Sequence, residues 1–172
     1  ALLDTVVLPM TAEVLERSDP MAAVLDMPRC KAVIAFWEKD VQQIFNSYAA
    51  ADMDIDAQAA QDSVNLTELM YMLTEGKLID GAHLSISKVS QIFAHVNTAA
   101  DEEEEGDEDE AELCFDEFLS VIVRCCDAKI PEATRDGLPF EEVLQRWLQL
   151  VFVPTYRQLL KDKARGIVKK AI

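Results

Sequence analysis

Glycine and proline are scarce in this 172-residue chain, at 5 and 6 residues. That is too few turn residues for the many short strands of an all-β sandwich or barrel. Half of the residues are apolar, enough to bury a core, so an all-α protein of one compact domain or two small lobes is expected. No apolar run reaches the roughly 18 residues of a membrane span, and the start ALLDTVVLPM lacks the basic residues and cleavage pattern of a secretory signal. The expectation is therefore an intracellular chain without a membrane partner. It begins with Ala1 rather than Met, as a processed form or a piece of something longer would.

Positive charge is also in deficit, with 16 Lys and Arg against 32 Asp and Glu and a formal charge of -16. Such a chain repels nucleic acid and anionic lipid as a whole and suits cations or basic partners. The four cysteines, Cys30, Cys114, Cys125 and Cys126, form no CxxC pair and no disulfide framework. Two histidines, His83 and His95, stand apart from any ligand spacing. Phosphate-binding loops, GxSxG elbows and HExxH helices are absent. No residue is assigned a catalytic role, and a non-enzymatic class is expected.

What is present is helical periodicity. Residues 1–28, AEVLER after Thr11 among them, read as an arm of short helical pieces, with Pro20 and Pro28 where first helical turns tolerate proline. From Pro28 the positions Val33, Phe36, Trp37, Val41, Ile44, Phe45 and Tyr48 recur at three- and four-residue steps, which predicts an amphipathic helix ending near Ala51. A second helix carries Val64, Leu66, Leu69, Met70 and Leu73 and stops at Gly76, and a third, capped by Ser85 or Ser87, carries Val89, Ile92, Phe93 and Val96. Then comes DEEEEGDEDEAE, in which 10 of the 12 residues are acidic, a solvated run. A fourth helix carries Phe115, Phe118, Leu119, Ile122, Cys125 and Cys126; a fifth, Leu138 to Val153, is expected to end at Pro154, with a basic sixth after it.

The two helix–loop–helix halves repeat. VQQIFNSYAAADMDID…VNLTEL aligns with VSQIFAHVNTAADEEE…LCFDEF, setting Val64, Glu68 and Leu69 beside Leu113, Glu117 and Phe118. On these residues the segment 29–130 resembles the EF-hand superfamily, in which loop oxygens and a closing glutamate surround a hard cation. The resemblance implies Asp52, Asp54, Asp56 and Glu68 as Ca2+ ligands of the first loop, about 52–68. For the second, about 97–117, it implies Asn97, Asp101 and Glu117. The loops span 17 and 21 residues where the motif has 12, and Ala57 stands where its turn glycine belongs. The resemblance also implies a short β-bridge between Val64 and Leu113, architecture that outlasts the ion. Both outcomes stay open, a chain without cofactor and a Ca2+ sensor.

Within that superfamily, LCFDEFLSVIVRCCDAKIPEA followed by LPFEEVLQRWLQLVFVP resembles degenerate modules of algal and protist ciliary proteins. This implies a calcium-independent module of a cilium or flagellum axoneme that clasps a partner helix or touches tubulin or another axonemal protein. Phe45, Phe93, Phe115, Phe118 and Leu119 are the expected core or groove positions. The segment 131–172 ends in a basic tail, Arg157, Lys161, Lys163, Arg165, Lys169 and Lys170 against Asp162. It suits docking on an acidic surface, folding back either against the chain's own acidic loops or so that Leu159, Leu160 and Val168 enter its own groove, or simple exposure. Trp37 and Trp147 read as core or partner anchors, Met53, Met70 and Met72 as helical core or a plastic groove, and a redox role for Cys125 and Cys126 is a third alternative.

Overall fold

A computed structural model describes residues 19–49, 63–100 and 111–166. The described residues are mostly helical, with one two-stranded antiparallel pair, in agreement with the all-α expectation. Helix α1 (Pro20–Asp26) starts at Asp19, whose side chain accepts from the Met21 amide, and α2 (Pro28–Ala49) follows at once. Both begin with proline, which lacks only an amide that the first turn leaves unpaired anyway.

Strand β1 (Val64–Asn65) leads into α3 (Leu66–Glu75), and β2 (Glu112–Leu113) leads into α5 (Phe115–Lys129). The strands pair antiparallel, Val64 opposite Leu113 and Asn65 opposite Glu112. Both apolar members are fully buried, so the pair joins the two halves through the core. Helix α4 (Ile86–Ala100) lies between them in sequence, starting at Ser85, whose hydroxyl accepts from the Lys88 amide at 3.1 Å. The loop before it is folded around Asp80. One carboxylate oxygen of Asp80 accepts from the amides of Ala82, His83 and Leu84, and the other from Lys129 at 2.7 Å.

The end of the chain departs from expectation at Pro154. Helices α6 (Phe140–Trp147) and α7 (Val153–Ala164) are joined by a π-turn over Leu148–Phe152, so one helix passes through the proline. Proline has no amide to donate, and widening the preceding turn makes room for its ring without ending the helix. Phe36 departs too. It is 71% exposed, because α2 turns Val41, Ile44, Phe45 and Tyr48 to the core instead.

Helix α2 is the centre of the packing: α1, α3, α5, α6 and α7 all touch it, while α4 packs on α3 and α5. One core runs through all of these helices, and it contains no buried charged residue among those described.

Candidate functional site

The C-terminal helix packs against α2 and α3, on the side where a partner groove is expected from the sequence. Phe152, Val153 and Tyr156 are buried to 1% exposure or less, with Leu159 and Leu160 packed on the same core. Their spacing puts them on one helical face. Aromatic rings carry the contact inward: Trp147 meets Phe152 at 5.2 Å, Phe152 meets Tyr156 at 4.9 Å, and Tyr156 stands edge-on to Tyr48 of α2 at 5.9 Å. The Tyr156 hydroxyl donates to the Met72 carbonyl in α3 at 2.7 Å. That bond satisfies a buried phenol that would otherwise be costly. Burial raises the Tyr156 pKa far above its usual value.

Gly76 makes this approach possible. Its φ is -74°, open to any residue, but a Cβ there would lie 2.6 Å from Cζ of Tyr156. The left-handed residue of the α3 terminus is Lys77 (φ 55°), and the Leu78 amide donates back to the Leu73 carbonyl at 2.9 Å.

At the far end of α7 the basic segment folds back in part. The Lys163 ammonium donates to Glu75 Oε2 at 2.8 Å and lies 4.4 Å from the centre of the Tyr48 ring and 5.4 Å from that of Tyr71. Both phenols donate to Glu75, Tyr48 at 2.6 Å and Tyr71 at 3.3 Å. Two ring faces and a carboxylate thus surround one cation, an arrangement that gains strength from desolvation. Burial, reinforced by Glu75, pushes the Tyr48 phenol well above its ordinary pKa. Arg157 pairs with Asp40 of α2. Lys161 and Arg165 remain exposed, and Lys169 and Lys170 lie outside the described residues.

Of the expected groove residues, Phe45, Phe93 and Phe118 are buried in the core and Phe115 and Leu119 are partly buried against it. Phe45 touches both phenylalanines of the second half, Phe115 at 5.4 Å and Phe118 at 5.1 Å. Of the implied calcium ligands, Asp52, Asp54, Asp56 and Asp101 lie outside the described residues, as do Met53 and the expected cap Thr11. Asn97 lies within α4, half-buried.

The two closing glutamates occupy equivalent places, each as the third residue of its helix. Glu68 Oε2 accepts from the Asn65 amide at 2.9 Å while Asn65 Oδ1 accepts from the Glu68 amide at 2.8 Å. Glu117 Oε2 accepts from the Cys114 amide at 2.7 Å. These are capping bonds, which satisfy amides that a helix start leaves without partners.

A second feature lies on the other side. An open cavity of about 830 Å³ sits between α1, α4, α5 and the following loop. Part of its charge is paired: Asp19 receives Arg124 through Nη1 and Nη2 and His95 Nε2 at 2.9 Å, and Asp127 receives Arg135, while Lys88 and Glu132 also line the opening. The Arg124 guanidinium, with His95 after it, holds the Asp19 carboxyl well below the usual carboxylate range despite partial burial. Burial pushes the Cys125 thiol up to about 12 and raises those of Cys126 and Cys30. Such burial disfavours the reactive thiolate.

Among the described residues no group of three or more His, Cys, Asp or Glu side chains is arranged to hold a metal ion, and no helix is long and apolar enough to cross a membrane. Protein-family models, curated proteins and solved structures were compared with the chain, and none matched. Sequence reasoning missed Glu75, Tyr71 and Asp19. A carboxylate between two tyrosines 27 and 4 residues away has no linear pattern that marks it.

Proposed function

We propose that this chain is a non-catalytic structural interaction module built as a degenerate EF-hand-type pair, with its groove closed by its own C-terminal helix and its partner binding independent of calcium. The single observation that carries this is Tyr156 seated between α2 and α3 and bonded to the Met72 carbonyl. A sensor needs that apolar groove to open on ion binding, whereas here the occupant is covalently part of the chain and buried. The antiparallel pairing of Val64 with Leu113, and the equivalent places of Glu68 and Glu117 at the starts of α3 and α5, support the EF-hand relationship. The axonemal setting, with tubulin or an axonemal protein as partner, rests on the resemblance of the segment around LCFDEFLSVIV alone.

Calorimetry with calcium on the full chain and on Glu68→Gln tests the reading. The proposal expects no saturable binding at micromolar calcium in either. Micromolar binding lost in Glu68→Gln would instead make the chain a calcium sensor with a long first loop.

A further inference from the structure

We propose that the outward face of the C-terminal helix is the docking surface of this module, and that its partner is a protein segment that is acidic with apolar residues among the acids. The inference rests on reading the chain as an interaction module. Between residues 146 and 165 five cations stand against the single acid Asp162, in a chain whose formal charge is -16. Two of the five are engaged inward or sideways, Lys163 with Glu75 and Arg157 with Asp40. Arg146, Lys161 and Arg165 are exposed and make no ion pair with any described residue.

Two apolar residues share that exposure. Leu150 is 70% and Val151 40% exposed, and Pro154 is exposed beside them. The π-turn explains how they come into line. In an unbroken α-helix a run at positions 146, 150, 154, 161 and 165 drifts by about 100° around the axis, and the wider turn over Leu148–Phe152 takes back most of that drift. Arg146, Leu150, Pro154, Lys161 and Arg165 therefore form one stripe, while Phe152, Val153 and Tyr156 point to the core. Single π-turns inside α-helices are frequent at functional sites.

Charge selects the partner. A stripe of three cations with no ion pair among the described residues attracts a short acidic segment at close range, but the acidic whole repels an extended polyanion such as nucleic acid or an anionic membrane. Leu150 and Val151 supply the apolar centre and the cations the rim, the division found in protein interfaces.

The test uses the folded full chain and a fluorescent helical peptide of Glu and Leu, about as long as the stripe, with a Lys-for-Glu version as control. Anisotropy is read in EGTA and again in calcium. The acidic peptide is expected to bind in both, more weakly as salt rises. Leu150→Asp, and separately the combined variant Arg146→Gln, Lys161→Glu and Arg165→Glu, should each weaken it roughly tenfold with an unchanged circular dichroism spectrum. No binding, or binding untouched by both variants, overturns the docking surface and leaves the calcium-independent reading standing. Binding only in calcium leaves the stripe and overturns that reading. Preference for phosphatidylserine vesicles or an oligonucleotide over the peptide, or self-association abolished by the same variants, overturns the acidic-protein partner.

Discussion

Lys163 and Tyr156 fasten the C-terminal helix by different means, and their replacements should separate accordingly. Lys163→Met keeps the length of the side chain and removes the charge held by Glu75, Tyr48 and Tyr71. A loss of about 1 kcal/mol is expected in urea unfolding, falling as salt is added. Tyr156→Phe keeps the ring packing and removes one of the two donors to the Met72 carbonyl, which still accepts from the Gly76 amide at 3.0 Å, at about 1 kcal/mol independent of salt. Gly76→Ala should cost more than either, since a methyl group meets the Tyr156 ring and must displace it. Lys77→Gly, one residue on, should stabilise by a few tenths to about 1 kcal/mol because Lys77 has a positive φ. A glycine at the end of a helical pattern reads as the left-handed cap. Here the positive φ falls on the neighbour, and the glycine answers to a side chain 80 positions away, which no local pattern reveals.

Asp19 adds a pH dependence with a definite sign. Its carboxyl is held below the usual range in the folded state by Arg124 and His95. The stability it contributes is therefore full above about pH 4 and is lost as pH falls toward the lowered value. Asp19→Asn should be about 1–2 kcal/mol less stable than the parent near neutral pH, and the gap should close as acid is added. A gap that stays constant down to strong acid would mean that the carboxylate charge is not what holds α1 to α5.

Among the elements, the helix from Phe140 to Ala164 decides whether the rest can exist as it stands. It contributes Val143, Leu144, Trp147, Leu148, Phe152, Val153 and Tyr156 to the buried set, and α2 depends on it along much of its length. Ending the chain at Gly137 should expose that face, with dye binding to apolar surface and loss of cooperative unfolding. A truncated chain that unfolds cooperatively without dye binding would mean the groove does not need this helix. At α3 the closing glutamate is tested as a cap: Glu68→Ala should cost about 1 kcal/mol with or without calcium, whereas Glu68→Gln, which can still accept from the Asn65 amide, should cost little.

Most elements could be read from periodicity. Helices α2 to α5 carry apolar positions at three- and four-residue steps, and Val64 and Leu113 stand equivalently in the two halves. Pro154 could not be read correctly, because a proline ends a helix in local terms and only packing on both sides selects the π-turn that accommodates it. Phe36 fails for a related reason. The apolar positions of α2 span more than one face, and the face chosen is the one that other helices cover.

For the whole molecule, charge is divided between an acidic body and a basic final helix, and two of that helix's cations, Arg157 and Lys163, are turned to the protein itself. Its folding back was one of three arrangements open from the sequence, since neither Asp40 nor Glu75 is near it in the chain. On the proposed reading of a groove closed from within, ion binding would have to displace Tyr156 from Met72 before any apolar surface opened. Hydrogen exchange of the amides of residues 153–164, compared in EGTA and in saturating calcium, measures this most directly. The same protection in both conditions is predicted. A calcium-dependent loss of protection confined to that helix would contradict the account, because the groove would then be opened by the ion and not permanently filled.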